Sequence, residues 1–106
     1  MNDAEFATLS GAALDRIEQQ LEASGADLDF DLAAGGVLEI EFADGSKIIV
    51  SPHMIAQELW VAARSGGFHF RLDDNQGWVD TRTGESLDQR LTEIIKQQGQ
   101  VALKLS

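Results

Sequence analysis

The sequence contains no cysteine, which excludes disulfides, thiolate metal sites and cysteine nucleophiles. Histidine is nearly as scarce: His53 and His69 are the only two, one expected on a loop and one on a strand, where a lone histidine is usually structural. Bases are few, with eight Lys and Arg against eighteen Asp and Glu and a formal net charge of −10. Phosphate contacts need a basic face, and none accumulates here, so nucleic acid is not an expected partner. No apolar run approaches the roughly 20 residues of a membrane span. The N-terminal Met1–Phe6 stretch has neither the basic nor the apolar region of a signal peptide. A soluble cytoplasmic protein with no membrane partner is therefore expected. There is no phosphate-binding glycine loop, since Gly35-Gly36 and Gly66-Gly67 read as hairpin turns. No serine has an evident base to activate it. Nothing points to an active-site pocket, and the expectation is that the chain is not an enzyme.

What is present is a folded core and a lopsided charge distribution. At 106 residues the chain fits one domain spanning 1–106. Apolar residues make up 43 %, with five Phe and two Trp, more than a disordered acidic chain would carry. Residues 1–41 hold ten carboxylates (Asp3, Glu5, Asp15, Glu18, Glu22, Asp27, Asp29, Asp31, Glu39 and Glu41) against one base, Arg16. Residues 42–106 hold eight acids and seven bases. Nine of the ten net negative charges thus fall in the first two-fifths of the chain, which calls for a cation or a basic partner.

The spacing predicts an amphipathic helix over 3–22. Phe6, Leu9, Ala13, Ile17 and Leu21 give one apolar stripe, with Asn2 and Glu5 as a capping pair and Ser24-Gly25 as its end. Gly11 weakens it by about 1 kcal/mol relative to Ala. At 3.6 residues per turn, Asp15, Glu18 and Glu22 lie within roughly a 60° arc away from that stripe. The alternation from Asp27 to Leu32 then predicts a strand with Leu28, Phe30 and Leu32 inward and Asp27, Asp29 and Asp31 on the other face. Asp is a poor strand former, and three in phase point to an edge strand reached by solvent or ions.

The remainder reads as a meander. Val37–Phe42 is expected to turn at Asp44-Gly45 into a strand over 46–51 that Pro52 stops. Glu58–Ala62, Phe68–Leu72 and Trp78–Asp80 follow as strands. Ser86 and Gln89 cap a second helix whose apolar face is Leu87, Leu91, Ile94 and Ile95 and whose end is Gln98-Gly99. Val101–Leu105 alternates as a last strand. The expected fold class is α+β: a two-layer α-β sandwich, two helices on one face of a mostly antiparallel sheet of about six to seven strands. The other sheet face then meets water. By phase it carries Trp60, His69 and Arg71, with Ser46 or Lys47 according to register. An outward Trp is either a partner-contact residue or a cross-strand packing group shielded by long polar stems.

Clustered carboxylates without Cys or paired His suit hard cations such as Mg, Ca, Mn or iron. The row formed by Asp15, Glu18, Glu22, Asp27, Asp29 and Asp31 has no calcium-loop spacing, so the expectation is weak, hydrated binding of several cations. A solvated acidic face serving solubility is the plainer alternative.

These residues resemble a known family. The acidic first helix, Asp27-x-Asp29, Gly35-Gly36-Val37-Leu38-x-Ile40-x-Phe42, Asp44–Ile49 and Leu59-Trp60-Val61-Ala62 look like a frataxin, in its short bacterial form. The likeness continues through Ser65–Phe70, Trp78 and Asp80-x-Arg82-x-Gly84-Glu85, and so covers nearly the whole chain. It implies the α-β sandwich reasoned out above. It also implies ferrous and ferric iron bound weakly along the ridge of Asp15, Glu18, Glu22, Asp27, Asp29 and Asp31. The implied role is in iron–sulfur cluster assembly: binding and regulating the cysteine desulfurase with its scaffold protein, and donating or sensing iron. Glu18, Glu22 and Trp60 are the implied partner contacts. A monomer is expected, with iron-dependent oligomers left open. A ferroxidase or iron-storage protein and a metal-independent acidic adaptor are the alternatives. The chain departs from many relatives at Ser51–Ala56 and has Ala7 where some close bacterial relatives carry a first-helix His.

Overall fold

The computed structural model describes residues 1–33, 35–73, 77–100 and 105. Helix α1 (Asp3–Ser24) is followed by strands β1 (Asp29–Ala33), β2 (Val37–Glu41), β3 (Lys47–His53), β4 (Glu58–Ala63), β5 (Gly66–Asp73) and β6 (Gly77–Asp80), then by helix α2 (Leu87–Gly99). Among the described residues the strands form one six-stranded sheet in sequence order, every neighbouring pair antiparallel. Both helices bury their apolar sides on the same sheet face, where one continuous core runs from Phe6 to Leu105. This is the expected α+β sandwich.

The helix ends are fixed by local chemistry. The Asn2 side chain accepts the Glu5 N–H at 2.8 Å, and Gly25 closes α1 at φ 65°. Ser86 Oγ accepts the Gln89 N–H at 3.1 Å to start α2. The α1 stripe differs from expectation at one place. Leu9 is 41 % exposed, while Ser10 and Leu14 are buried. The buried set Phe6, Ser10, Ala13, Leu14, Ile17 and Leu21 is centred so that Leu9 sits roughly 90° from its middle. Leu9 instead lines an open groove of about 360 Å³ with Ala12, Arg16, Leu72, Trp78 and Asp88. Ser10 is tolerated in the core because its hydroxyl reaches the Ala7 carbonyl at 3.3 Å.

Two further expectations need correction. Pro52 does not end β3; it pairs with Leu59 inside the strand, and His53, expected on a loop, is the last residue of the same strand. The β2–β3 pairing stops at Leu38 and Val50, so no β2 residue needs the N–H that proline lacks. Helix α2 ends at Gln98-Gly99 as expected: Gly99 is its last helical residue, and Gln100 takes the left-handed cap at φ 54°. Glycine is required there because a Cβ would stand 2.2 Å from the Phe42 ring. The final strand expected over 101–105 lies outside the described residues except for Leu105, which is buried and donates its N–H to Thr92 Oγ1 at 3.2 Å.

Candidate metal and partner surfaces

On α1, Asp15 and Glu22 are exposed and Glu18 is half-buried, so the helix presents its acids outward as expected. The one base of this region does not neutralise them. Arg16 points to α2, where its two guanidinium nitrogens donate to both Asp88 oxygens at 2.8 and 2.9 Å. A bidentate pair of this kind fixes geometry as well as charge, and here it ties the two helices together. The acidic row is left uncompensated as a consequence of that tie. Glu22 also lies in the last turn of α1, which holds no base, where a negative charge opposes the helix dipole.

Asp27 is exposed in the connection to β1, and Asp29 and Asp31 are exposed on β1, an edge strand as expected. Their register was not foreseen. Asp29 stands opposite Glu41, and Asp31 opposite Glu39. Four carboxylates therefore share the open face of the sheet, around a shallow notch of about 230 Å³ lined also by Phe30 and Lys47. Lys47 reaches Glu39 at 3.4 Å. Like charges directly opposite in a sheet destabilise, typically by about 0.2–1 kcal/mol per pair, so two such pairs are an arrangement that stability alone disfavours. Period-2 alternation in Val37–Phe42 held the signal: placing Leu38, Ile40 and Phe42 inward sends Glu39 and Glu41 out.

These donors suit a hard cation, being carboxylate oxygens throughout. Among the described residues, however, no three His, Cys, Asp or Glu side chains converge on a point that would hold one ion. The surface can concentrate hydrated cations or meet a basic protein, but it is not a preformed chelate.

The second candidate lies across the open face. Leu59 and Val61 are buried, and Trp60 points away from them, as its phase requires. Its ring is sandwiched. His53 stacks on one side at 3.5 Å between centroids and 20° between planes, and His69 on the other at 4.4 Å and 6°. Glu58, only 8 % exposed, accepts the Trp60 indole N–H at 2.9 Å and an Arg71 guanidinium nitrogen at 2.9 Å, with His69 Nδ1 at 3.4 Å. Neither Glu58 nor the role of His53 was singled out from sequence. Glu58 shares the phase of Trp60, which is the signal that could have found it. Lys47, not Ser46, lies on this face, and Arg71 does so as expected.

The Asp80-x-Arg82-x-Gly84-Glu85 segment is a turn that launches α2. One Asp80 oxygen accepts the N–H groups of Arg82 and Thr83 at 2.7 and 3.2 Å, while the Asp80 backbone bonds to Glu85 and Gly84. Asp80 is buried, with Arg90 Nε 3.7 Å away. Its work is structural.

Residues 1–101 match the family model described as a frataxin-like domain. The chain is 57 % identical to the iron-sulfur cluster assembly protein CyaY of Dechloromonas aromatica, over 99 % of both chains. It is 50 % identical to the CyaY protein of Cupriavidus pinatubonensis, covering 99 % of this chain and 96 % of that one. Among solved structures, a frataxin from Psychromonas ingrahamii superposes with a TM-score of 0.91 at 29 % identity, over 100 % of this chain and 99 % of that one. The chain belongs to the frataxin family, in its bacterial CyaY form.

Proposed function

We propose that this protein acts in iron–sulfur cluster assembly as an iron-binding adaptor, taking ferrous and ferric ions as cargo on its acidic ridge. It regulates the cysteine desulfurase and its scaffold protein by docking the same ridge on a basic desulfurase surface. The observation that carries this reading is the uncompensated charge: Asp15, Glu18 and Glu22 on α1 and Asp27, Asp29 and Asp31 at β1 are exposed or half-exposed, while Arg16 is committed to Asp88. Relatives matched over nearly their whole length carry the name iron-sulfur cluster assembly protein, which supports the pathway. Hard oxygen donors support iron, and their open arrangement supports weak binding with retained water. Trp60 is read as a contact for the scaffold or desulfurase.

Anaerobic titration of ferrous iron followed by backbone amide NMR tests the reading. Shifts and broadening concentrated in residues 15–31, extending to Glu39 and Glu41, are expected. A second reading, an adaptor whose ridge serves only protein docking, is favoured by the lack of any converging carboxylate triad among the described residues. It predicts no perturbation there at millimolar iron while desulfurase binding persists.

A further inference from the structure

We propose that His53, Trp60 and His69 form a proton-dependent contact surface that takes a carboxylate-bearing segment of a partner protein, with Glu58 positioning the indole. The docking half of this proposal rests on the adaptor reading above; the proton-dependent half stands on the geometry alone.

An indole usually offers a partner one of its two faces. Here both are covered by imidazoles, at 3.5 and 4.4 Å, and its N–H is taken by Glu58 at 2.9 Å. What remains is the outer edge of a three-ring stack. Histidine changes charge between about pH 5 and 8, and an imidazolium over an indole face gains a cation–π attraction that the neutral ring lacks. The groups around the stack reinforce this. His53 faces Glu58 and Trp60 on β4 and has the Ser51 hydroxyl at 3.2 Å on its own strand; no β2 residue pairs opposite it. His69 faces Trp60 and Glu58 on β4 and has Arg71 two residues along β5. On its other side come the uncharged Val79 and Thr81, with Arg82 next in sequence. Glu58 is the carboxylate beside the stack, and Arg71 shares it at 2.9 Å.

Protonation also sets what the surface can bind. Glu58 is sheltered, whereas the side chains of His69 and Arg71 are 47 % and 63 % exposed. The outward chemistry is therefore hydrogen-bond donors, in a chain whose net charge is −10. When both imidazoles carry protons the patch becomes a local cationic island in the middle of the open face, on β3, β4 and β5, two or more strands from β1. A segment carrying Asp or Glu fits it, and a basic segment of the kind suited to the acidic ridge does not.

The test has an arm in the free protein and an arm with a purified bacterial iron–sulfur scaffold protein. The Trp60 indole N–H cross-peak, assigned with Trp60→Phe, is followed by 15N NMR from about pH 8 to about pH 5.5. It is expected to move across this range in the wild type and to stay still in the His53→Gln/His69→Gln variant. Scaffold affinity is expected to rise threefold or more from the high to the low pH. That gain should be absent in the double variant, and Arg71→Gln should weaken low-pH binding. A still indole peak overturns the proposal, as does equal proton dependence of binding in the wild type and the double variant. Unchanged affinity in Arg71→Gln overturns the carboxylate-bearing occupant. If the scaffold binds at neither pH, the adaptor reading fails instead, and the indole titration alone decides the stack.

Discussion

At the scale of single residues, two positions show how little room the fold leaves. Gly99 lies under the Phe42 ring, and a Cβ there would meet three ring carbons between 2.2 and 2.9 Å. An aromatic ring in a packed core cannot swing aside as a lysine tip would, so either α2 or the end of β2 must shift. Gly99→Ala is expected to destabilise by about 1–3 kcal/mol, the usual range for overpacking, although helix propensity alone would favour Ala. Urea unfolding of the two proteins checks it, and equal midpoints would contradict the contact. Asp44, in the β2–β3 turn, shows a residue effect of a different kind. Hydrogen bonds from the Ser46 hydroxyl and N–H, then from Arg64, hold its carboxyl down at about 2 instead of 3.8. A carboxyl depressed in the folded state contributes stability that is present above its unfolded value and is lost as pH falls through the folded one. The contribution of Asp44 should therefore fade between about pH 4 and about pH 2. Removing the first cause by Ser46→Ala should raise the midpoint, as read from the Asp44 side-chain carbonyl by 13C NMR.

At the scale of elements, α1 combines good ends with a weak middle. The Asn2 cap and the left-handed Gly25 define it, yet Gly11 sits near its centre with nothing within 4 Å of the place a Cβ would occupy. Gly11→Ala should thus stabilise by about 0.5–1 kcal/mol, through backbone entropy alone. A thermal midpoint that falls would mean that the small cleft beside Ala7, Ser10 and Pro52 tolerates no methyl group. The same helix shows what sequence could and could not disclose. Caps, stripe and acidic arc are periodic, local features, and each was legible. Leu9 was misplaced because a stripe drawn through apolar letters does not know that a serine can satisfy itself at i−3 and be buried. β3 shows the complementary failure. A proline reads as a stop because a paired strand needs its N–H, but the β2–β3 pairing ends at Val50, so Pro52 has no β2 pairing partner on that side. Strand register and relative strand length are tertiary facts: alternation sends Glu39, Glu41 and Glu58 outward, but only register sets Glu41 opposite Asp29, Glu39 opposite Asp31 and His53 opposite Glu58. Phase analysis did find Trp60, since alternation alone fixes its face.

At the scale of the whole molecule, charge is separated in space as well as in sequence. The acids of α1 and β1 gather at one edge of the sheet, and the bases farther along the chain are largely paired off: Arg64 with Asp44, Arg71 with Glu58, and Arg90 with Asp80, Glu85 and Glu93. A field of this kind steers encounter with an oppositely charged partner and is screened within about 8 Å at physiological salt. If the ridge docks a basic desulfurase surface, the position of charge must matter more than its amount. Glu18→Lys/Glu22→Lys replaces two acids by two bases and takes the net charge from −10 to −6, each reversal adding two. It should weaken desulfurase binding by more than tenfold in low salt while leaving the circular dichroism spectrum unchanged. A matched pair separates place from total. Glu18→Gln/Glu22→Gln and Gln89→Lys/Gln97→Lys each bring the net charge to −8, the first by deleting two acids of α1 and the second by adding two bases on exposed positions of α2. Surface plasmon resonance over a salt series should show a slower association and a shallower salt slope for the α1 variant, with the α2 variant close to wild type. Equal losses in both would mean that net charge governs the encounter, and the ridge as a docking site would have to be abandoned.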